Sequence, residues 1–435
     1  MGGFTWKHRH TALLVVFLIW MISYLDRMVM SVAIPYISEE FSLTPVEMGI
    51  VMSAFFAGYA LCQIPGGILS DKFGARKVMV TGIFWWSIFT GVTGAVSSLT
   101  SMLAARVVFG VGEGITPSGT WKALATWTPL KSRGFANAIM LSTNALGPAI
   151  APLFVVAIMA EWGWRMAFYS LTIPGIILAW LIWHYLPDNP ADRKGITEEE
   201  LAELREGEEE LAKGAVAPAN MSFMQVVAQP AVWKSFLIIF FSNTATWGFM
   251  TWLPSYLVQA RGFEMSKMGI IASLPFFLGV VGALVGGWLC DGPFAKNRKI
   301  PVVIGELCVA LFLYLTYTTA DMTMLIVYQT IAGFFIFMCL IAVLNLPMTA
   351  ISKEITGRAM GIVNTGAQLA GFLAPITIGY LVQISGSGAN SFDTAFMYLA
   401  TMAVISALIA MTFRQKTEEK NANADASSEA PQGAH

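Results

Sequence analysis

Two pairs of ionisable side chains stand inside apolar stretches, where a charge costs about 2.5 to 3.5 kcal/mol on insertion scales and so needs a partner or a use. Asp26 and Arg27 are adjacent in Ser23-Tyr24-Leu25-Asp26-Arg27, within the apolar run from Thr11 to Val32. Arg106 and Glu113 are seven positions apart in a later run. At 100° per residue the second pair shares one helix face, about 10 Å apart along the axis, whereas adjacent residues such as Asp26 and Arg27 point about 100° apart and can face different partners. A buried carboxyl beside a guanidinium is pulled two ways and can be poised to exchange a proton. A guanidinium fork suits a carboxylate anion. The chemistry implied is proton exchange at Asp26 and Glu113, with anion binding first at Arg27. An internal ion pair of Arg27 with Asp26 or Glu113, without ligand contact, stays open. Arg106 divides between ligand or proton contact and a structural pair.

Long apolar elements must position these groups. Of 435 residues, 56% are hydrophobic and 12% charged, against about a quarter charged in a soluble domain. A membrane-crossing helix needs about 20 mainly apolar residues. Twelve spans are expected at roughly 11–33, 46–69, 78–97, 100–122, 135–158, 164–186, 233–257, 268–290, 300–319, 322–349, 358–383 and 392–413. The formal net charge of −1 conceals an uneven distribution of the 26 Lys and Arg residues. With both ends inside, only Arg165, Arg261 and Lys267 fall in outer segments and only Arg27 and Arg106 within spans. The rest lie on the cytoplasmic side, as the positive-inside rule requires, so basic residues here report topology and no nucleic-acid partner is expected.

Cys62, Cys290, Cys308 and Cys339 lie in or at the ends of apolar spans without disulfide or metal spacing, and read as small core residues. No metal or other cofactor is expected. The N-terminal run is longer than a signal peptide's apolar region and is interrupted by Asp26 and Arg27, so it is read as a retained first span.

Met48 to Asp71 aligns without a gap on Met268 to Asp291. The two share Met-Gly-Ile at the start, Gly-Gly-x-Leu-x-Asp at the end, and Ser53/Ser273 and Phe56/Phe276 between. Each continues into a basic loop, through Arg76-Lys77 in one and Arg298-Lys299 in the other. The expected fold is an all-α membrane protein of twelve transmembrane helices in two pseudo-symmetric six-helix bundles. The expected division is 1–186, a cytoplasmic linker at 187–232, a second bundle at 233–414 and a disordered cytoplasmic tail at 415–435. Parallel repeats of this kind mark transporters, with the substrate expected between the halves near the midplane. In the linker, Thr197 and Glu200 have capping-box spacing, and a short surface helix is expected. Regulatory contact and a plain solvated linker are both open for it.

Three motifs together resemble the major facilitator superfamily. They are Gly67-Ile-Leu-Ser-Asp71-Lys72-Phe-Gly74-Ala-Arg76-Lys77 after the second span, Arg106-Val-Val-Phe-Gly110-Val-Gly112-Glu113-Gly114 in the fourth, and Gly163-Trp164-Arg165-x-Ala-Phe168 at the start of the sixth. Within it, Tyr24-Leu-Asp26-Arg27 with Ser31-Val-Ala-Ile-Pro35, Tyr59-Ala-Leu-Cys-Gln63-Ile-Pro65, Glu113, and Asn364 and Gln368 with Ala374-Pro375 resemble the anion:cation symporter family. The resemblance implies a proton-coupled importer of an organic anion such as a sugar acid, working by alternating access, and not an enzyme. The short loop between spans one and two lacks a glycosylation sequon, which favours a bacterial inner membrane. Membrane lipid, a small organic anion and the proton are the expected partners of a monomer.

Family position adds Tyr24, Tyr59, Gln63 and, in the fifth span, Asn144 to the substrate-binding candidates beside Arg27 and Arg106. The C-terminal half offers Asn345, Asn364 and Gln368 as neutral groups that would read hydroxyls, although amides also bond between helices. Its spans carry one ionisable group, Glu306, near the cytoplasmic start of span nine. Trp247 could stack on a ring, but packing is the simpler reading. Asp71, Arg76 and Lys77 are expected to close the inner gate through charge contacts, with topology alone as the alternative.

Three other readings compete. A phosphate-ester antiporter would be expected to carry a second basic anchor on span seven, where only Lys234 stands at the edge. A drug antiporter gives little reason for two buried arginines. A membrane receptor or enzyme would have to act without a metal set, a nucleotide loop or an attached soluble domain.

Overall fold

The computed structural model describes residues 6–206, 221–351, 355–386, 388 and 390–413. The expected disordered tail at 415–435 and positions 207–220 of the linker lie outside the described residues. Among the described residues there is no strand, and eleven helices are long and apolar enough to cross a membrane. The first four are α1 (His8–Phe41), α2 (Pro45–Phe73), α3 (Ala75–Ala95) and α4 (Leu99–Trp127). The next, α5 (Arg133–Tyr185), holds two spans, because Gly163 at φ 76° and ψ 170° leaves helical geometry inside it. Twelve crossings result, as the hydropathy pattern predicts.

The linker contributes α6 (Glu198–Arg205) and the short α7 (Phe223–Val227). Then follow α8 (Pro230–Ser255, continued by a π turn at Tyr256–Ala260), α9 (Met265–Asp291), α10 (Lys299–Thr318), α11 (Met322–Asn345), α12 (Thr356–Ser385) and α13 (Asp393–Met411).

Local chemistry fixes the helix ends. Between α1 and α2, Ser42 takes the left-handed conformation at φ 52°, and Thr44 opens α2 with a capping box. Glu47 Oε2 accepts the Thr44 backbone N–H at 2.8 Å, and Pro45 stands in the first turn, where its missing N–H costs nothing. Ser98 and Ser101 form the corresponding box on α4. Within the N-terminal half α1 packs on α5, α2 on α4, and α3 on both α4 and α5. The α2–α4 contact is close because Gly110 and Gly114 face the α2 backbone at Phe55 and Tyr59; a Cβ on Gly114 would stand 2.5 Å from the Tyr59 carbonyl oxygen. On the other side of α2, Leu61 and Ile64 are exposed, as lipid-facing residues should be.

The chain clusters into two compact units. One comprises Met1–Ala215, Trp247–Phe277 and Gly371–Ala395, and the other Val216–Thr246, Leu278–Ala370 and Phe396–His435. The first gathers the N-terminal spans with one end each of α8, α9 and α12. There Trp252 Nε1 donates to the Pro375 carbonyl at 3.1 Å, and Phe56 meets Trp247 edge-on with centroids 4.9 Å apart. In the second, α10 packs on α11, and Glu306 on α10 is buried and accepts from the Ser406 hydroxyl of α13 at 3.2 Å.

The linker helix departs from the expected box. Thr197 Oγ1 accepts from Glu200 N at 3.2 Å, but the Glu200 carboxylate turns away and accepts the Arg9 backbone N–H at 3.0 Å. Glu200, Leu201 and Leu204 are buried, and Glu203 binds Lys7 at 2.5 Å and Arg9 at 2.7 Å. The hydrogen bond from Lys7, aided by the charge of Arg9, holds the Glu203 carboxyl below the ordinary glutamate range. The helix is thus strapped to the start of α1, because a free N-terminal backbone donor and two cations attract its acidic face.

Candidate functional site

Helix α1 presents Ser23, Asp26 and Arg27 at helical spacing, so Ser23 and Arg27 fall one turn apart on the same side. Arg27 Nε donates to Glu113 Oε1 of α4 at 2.9 Å, and the Ser23 hydroxyl donates to the same oxygen. Both partners are buried, the arginine side chain 8% and the glutamate 2% exposed. The Arg27 guanidinium also lies over three rings, Tyr59 at 4.8 Å, Phe55 at 5.0 Å and Tyr24 at 5.2 Å. Aromatic faces favour a cation and partly replace lost water. Glu113 Oε2 is buried without a hydrogen-bond partner among the described residues.

Asp26 faces away from this pair. Its Oδ1 accepts from the Thr90 hydroxyl of α3 at 3.4 Å, and Oδ2 is buried without a partner among the described residues. Thr90 has one hydroxyl proton and a second acceptor, the Trp86 carbonyl at 3.1 Å. Arg106 is 2% exposed and makes no ion pair among the described residues; its Nε has no partner, and its guanidinium lies over Phe109 at 4.6 Å. The first-choice anchor, Arg27, is therefore neutralised by Glu113 while Arg106 keeps its charge uncompensated at contact distance.

Two voids flank the Arg27–Glu113 pair. Toward the start of α1 and the end of α4, a narrow gap with room for about one water is lined by Trp20, Ser23, Trp86, Thr116 and Thr120. Toward the other end of α1, a second narrow gap, with room for about one water, is lined by Met30, Phe56, Arg106, Trp247 and Thr251. The pair itself borders the first void, and Arg27 both.

The structure brings Tyr24, Asp26, Arg27, Tyr59, Arg106 and Glu113 into one neighbourhood of α1, α2 and α4. Gln63 is half-buried one turn beyond Tyr59, and Asn144 is half-buried in the first segment of α5. Asn345, Asn364 and Gln368 belong to the second unit. Asn345 donates to Ile341 O of its own helix at 2.9 Å, Asn364 is exposed and Gln368 half-buried.

The motif at the junction of α2 and α3 bonds to neighbouring helix ends: Asp71 pairs with Lys122 of α4 at 3.2 Å. The Arg76 backbone donates to Asp188 Oδ1 at 2.9 Å, its guanidinium bonds the Trp183 carbonyl and stacks on the Trp183 ring at 4.1 Å, and Lys77 is exposed. Ser23 and Thr251 carry no assigned role in the sequence reading, and Trp247 reads there as packing. Only the one-turn offset of Ser23 from Arg27 could have signalled its place. No group of three or more His, Cys, Asp or Glu that could hold a metal occurs among the described residues.

Comparisons with known proteins agree with this fold. The sequence model of the Major Facilitator Superfamily matches residues 16–375 and 292–434. A probable sulfoacetate transporter of Cupriavidus necator is 33% identical, covering 93% of this chain and 94% of its own. A probable galactarate/D-glucarate transporter of Escherichia coli K12 is 32% identical over 92% and 93% of the two chains. The hexuronate transporter of Bacillus subtilis is 27% identical over 97% and 98%. Among solved structures, a bacterial homologue of the human lysosomal transporter Spinster superposes with a TM-score of 0.76 at 19% identity, covering 94% of this chain and 97% of the other. The xylose transporter XylE of E. coli superposes with 0.73 at 16% identity, covering 94% and 100%. Twelve crossings, buried arginines in the N-terminal half and relatives of this kind over the whole length leave one assignment: the chain belongs to the Major Facilitator Superfamily, as a multi-pass transporter of its organic-anion branch and not an enzyme.

Proposed function

We propose that the protein imports an organic anion, a sugar acid or related carboxylate, together with protons by alternating access. The observation that carries this reading is Arg106, a buried guanidinium without an ion pair among the described residues, lining a void beside the Arg27–Glu113 pair. An uncompensated buried cation is costly, and an anion admitted beside it when the gap opens offsets the cost. Arg106 attracts the carboxylate first. A proton on Glu113 then weakens its hold on Arg27, whose fork turns to the same anion. Asp26 takes a second proton at its unpartnered oxygen. Return of the empty carrier follows release of protons to the cytoplasm.

In this reading Tyr24, Tyr59, Gln63 and Asn144 contribute hydrogen bonds from the N-terminal bundle (1–186), and Asn345, Asn364 and Gln368 from the C-terminal bundle (233–414) read hydroxyls. Asp71, Arg76 and Lys77 serve the inner gate through helix-end contacts. The protein works as a monomer in a bacterial inner membrane, with both termini and the linker at 187–232 in the cytoplasm.

Uptake into proteoliposomes tests it, with sulfoacetate, D-glucarate and D-galactonate as probes and the outside made acid. Accumulation that collapses with the pH gradient and is lost in Arg106→Ala is expected. Transport of none of the three, or transport equal in Arg27→Ala, Arg106→Ala and the parent, removes the reading.

A further inference from the structure

The two oxygens of Glu113 stand in unlike surroundings. Oε1 already accepts from Arg27 and Ser23, so a proton arriving there has to displace both donors. Oε2 has no partner among the described residues, and a proton placed on it displaces neither. Beside this carboxyl lies the narrow gap toward the start of α1, wide enough for about one water and so for a proton relay but not for the anion. Glu113, Thr116 and Thr120 fall at i, i+3 and i+7 on one face of α4, spanning about 10 Å. The Thr116 hydroxyl donates to the Gly112 carbonyl at 3.1 Å and the Thr120 hydroxyl to the Pro117 carbonyl at 2.7 Å. Each has a single proton so committed, which leaves its lone pairs as acceptors. At the far end, Trp20 Nε1 donates to Thr120 Oγ1 at 3.2 Å and ties α1 to α4.

The ionisable groups nearby are Asp26, Arg27 and Tyr24 on α1, Tyr59 on α2 and Arg106 on α4; α3 contributes Trp86, which does not titrate. Arg106 borders the opposite void, with Trp247 and Thr251.

We propose that the Ser23–Thr116–Thr120 void is a separate proton exit, leading from Glu113 Oε2 to the cytoplasmic side, while the anion uses the void beside Arg106. The Trp20–Thr120 hydrogen bond is its closure. A proton leaves Oε2, a threonine oxygen accepts it on a lone pair, and that hydroxyl releases its own proton onward. One proton moves and no heavy-atom bond changes. This route rests on the proposed coupling role of Glu113.

The test compares net pH-driven uptake with counterflow exchange, using whichever of the three probes the proteoliposomes transport. Counterflow needs no return of the empty, deprotonated carrier. In Thr116→Val/Thr120→Val the ratio of net uptake to counterflow is expected to fall several-fold, with a larger solvent deuterium effect on net uptake. Thr116→Ser/Thr120→Ser should restore both, because serine returns the hydroxyls. A valine double variant with the parent's ratio and isotope effect overturns the exit route, even if Glu113→Gln is uncoupled. Should the double variant not fold, the single valine variants carry the same comparison. If Glu113→Gln remains coupled, or no probe is transported, the functional reading fails and the exit with it.

Discussion

Arg27 and Glu113 meet through one oxygen: Nε donates to Oε1 at 2.9 Å, while Oε2 has no partner among the described residues. A half-used carboxylate is an unusual way to compensate a buried guanidinium, since a bidentate fork is available and stronger. The arrangement holds Arg27 in place and leaves an atom for a proton. Glu113→Gln keeps a carbonyl oxygen for Arg27 and Ser23 and should fold, yet should move anion by exchange without accumulation. Glu113→Ala strands the buried guanidinium, and such losses typically cost about 3 to 5 kcal/mol. Thermal unfolding in detergent should rank alanine well below glutamine and the parent; an alanine variant as stable as the parent would refute a compensating role for the pair.

Arg106 should behave in the opposite sense. With no ion pair among the described residues, its removal relieves an uncompensated charge instead of creating one. Arg106→Met is expected to unfold at the parent's temperature or above it without ligand, and to lose the thermal shift produced by D-glucarate or sulfoacetate. A marked drop in stability without ligand would show that Arg106 is a structural partner.

Glu40 at the end of α1 ties the second half of α5 through both Arg165 nitrogens, at 2.6 and 2.8 Å, and through Trp164 Nε1 at 2.8 Å. Arg165 and Glu40 are 37% and 42% exposed, so solvent screening limits the ion pair to about 1 kcal/mol or less. Glu40→Gln should lower the unfolding temperature slightly, by an amount that shrinks as salt is raised, and leave anion binding intact. A salt-independent loss would place the clasp's strength in the tryptophan contact.

The linker strap should depend on acid. Lys7, then Arg9, hold the Glu203 carboxyl below its ordinary range, so its contribution is complete above the free glutamate pKa of about 4.3 and fades as pH falls through the lower folded value. Protection from hydrogen exchange at the start of α1 and over α6, taken relative to the intrinsic rate at each pH, should therefore be flat near neutral pH and fall only in strong acid. Glu203→Gln should exchange faster at neutral pH and lose that acid dependence. Parent-like exchange in the variant would assign the strap to Glu200 and the buried leucines instead.

How much of this is legible in the sequence varies with the distance over which residues act. Twelve crossings follow from hydropathy, and the divergent faces of Asp26 and Arg27 from the helical angle alone. The α5 crossings read as two spans because Gly163, Trp164 and Arg165 interrupt the apolar run, and the structure breaks the helix at the same glycine. Which arginine is compensated is not legible. Arg27 and Arg106 are both arginines in apolar helices, and only the depth at which α1 meets α4 decides that Glu113 lies beside the first. Ser23 is invisible for the same reason, since a serine in a span usually bonds its own helix. Glu200 misleads because its spacing satisfies a local cap while a more distant backbone donor, Arg9 N, is the better partner.

The joint at Gly163 has a practical corollary. The fifth and sixth crossings are connected by one non-helical residue, α1 and α2 by Ser42, Leu43 and Thr44, and α3 and α4 by Val96, Ser97 and Ser98. This end of the N-terminal half offers no slack into which an epitope, a protease site or a crosslinkable cysteine could be spliced without disturbing a cap or a positive-φ glycine. Surface reporters for it have to be substitutions on helix ends, and a binder raised against it would recognise a folded set of helix termini, not a peptide.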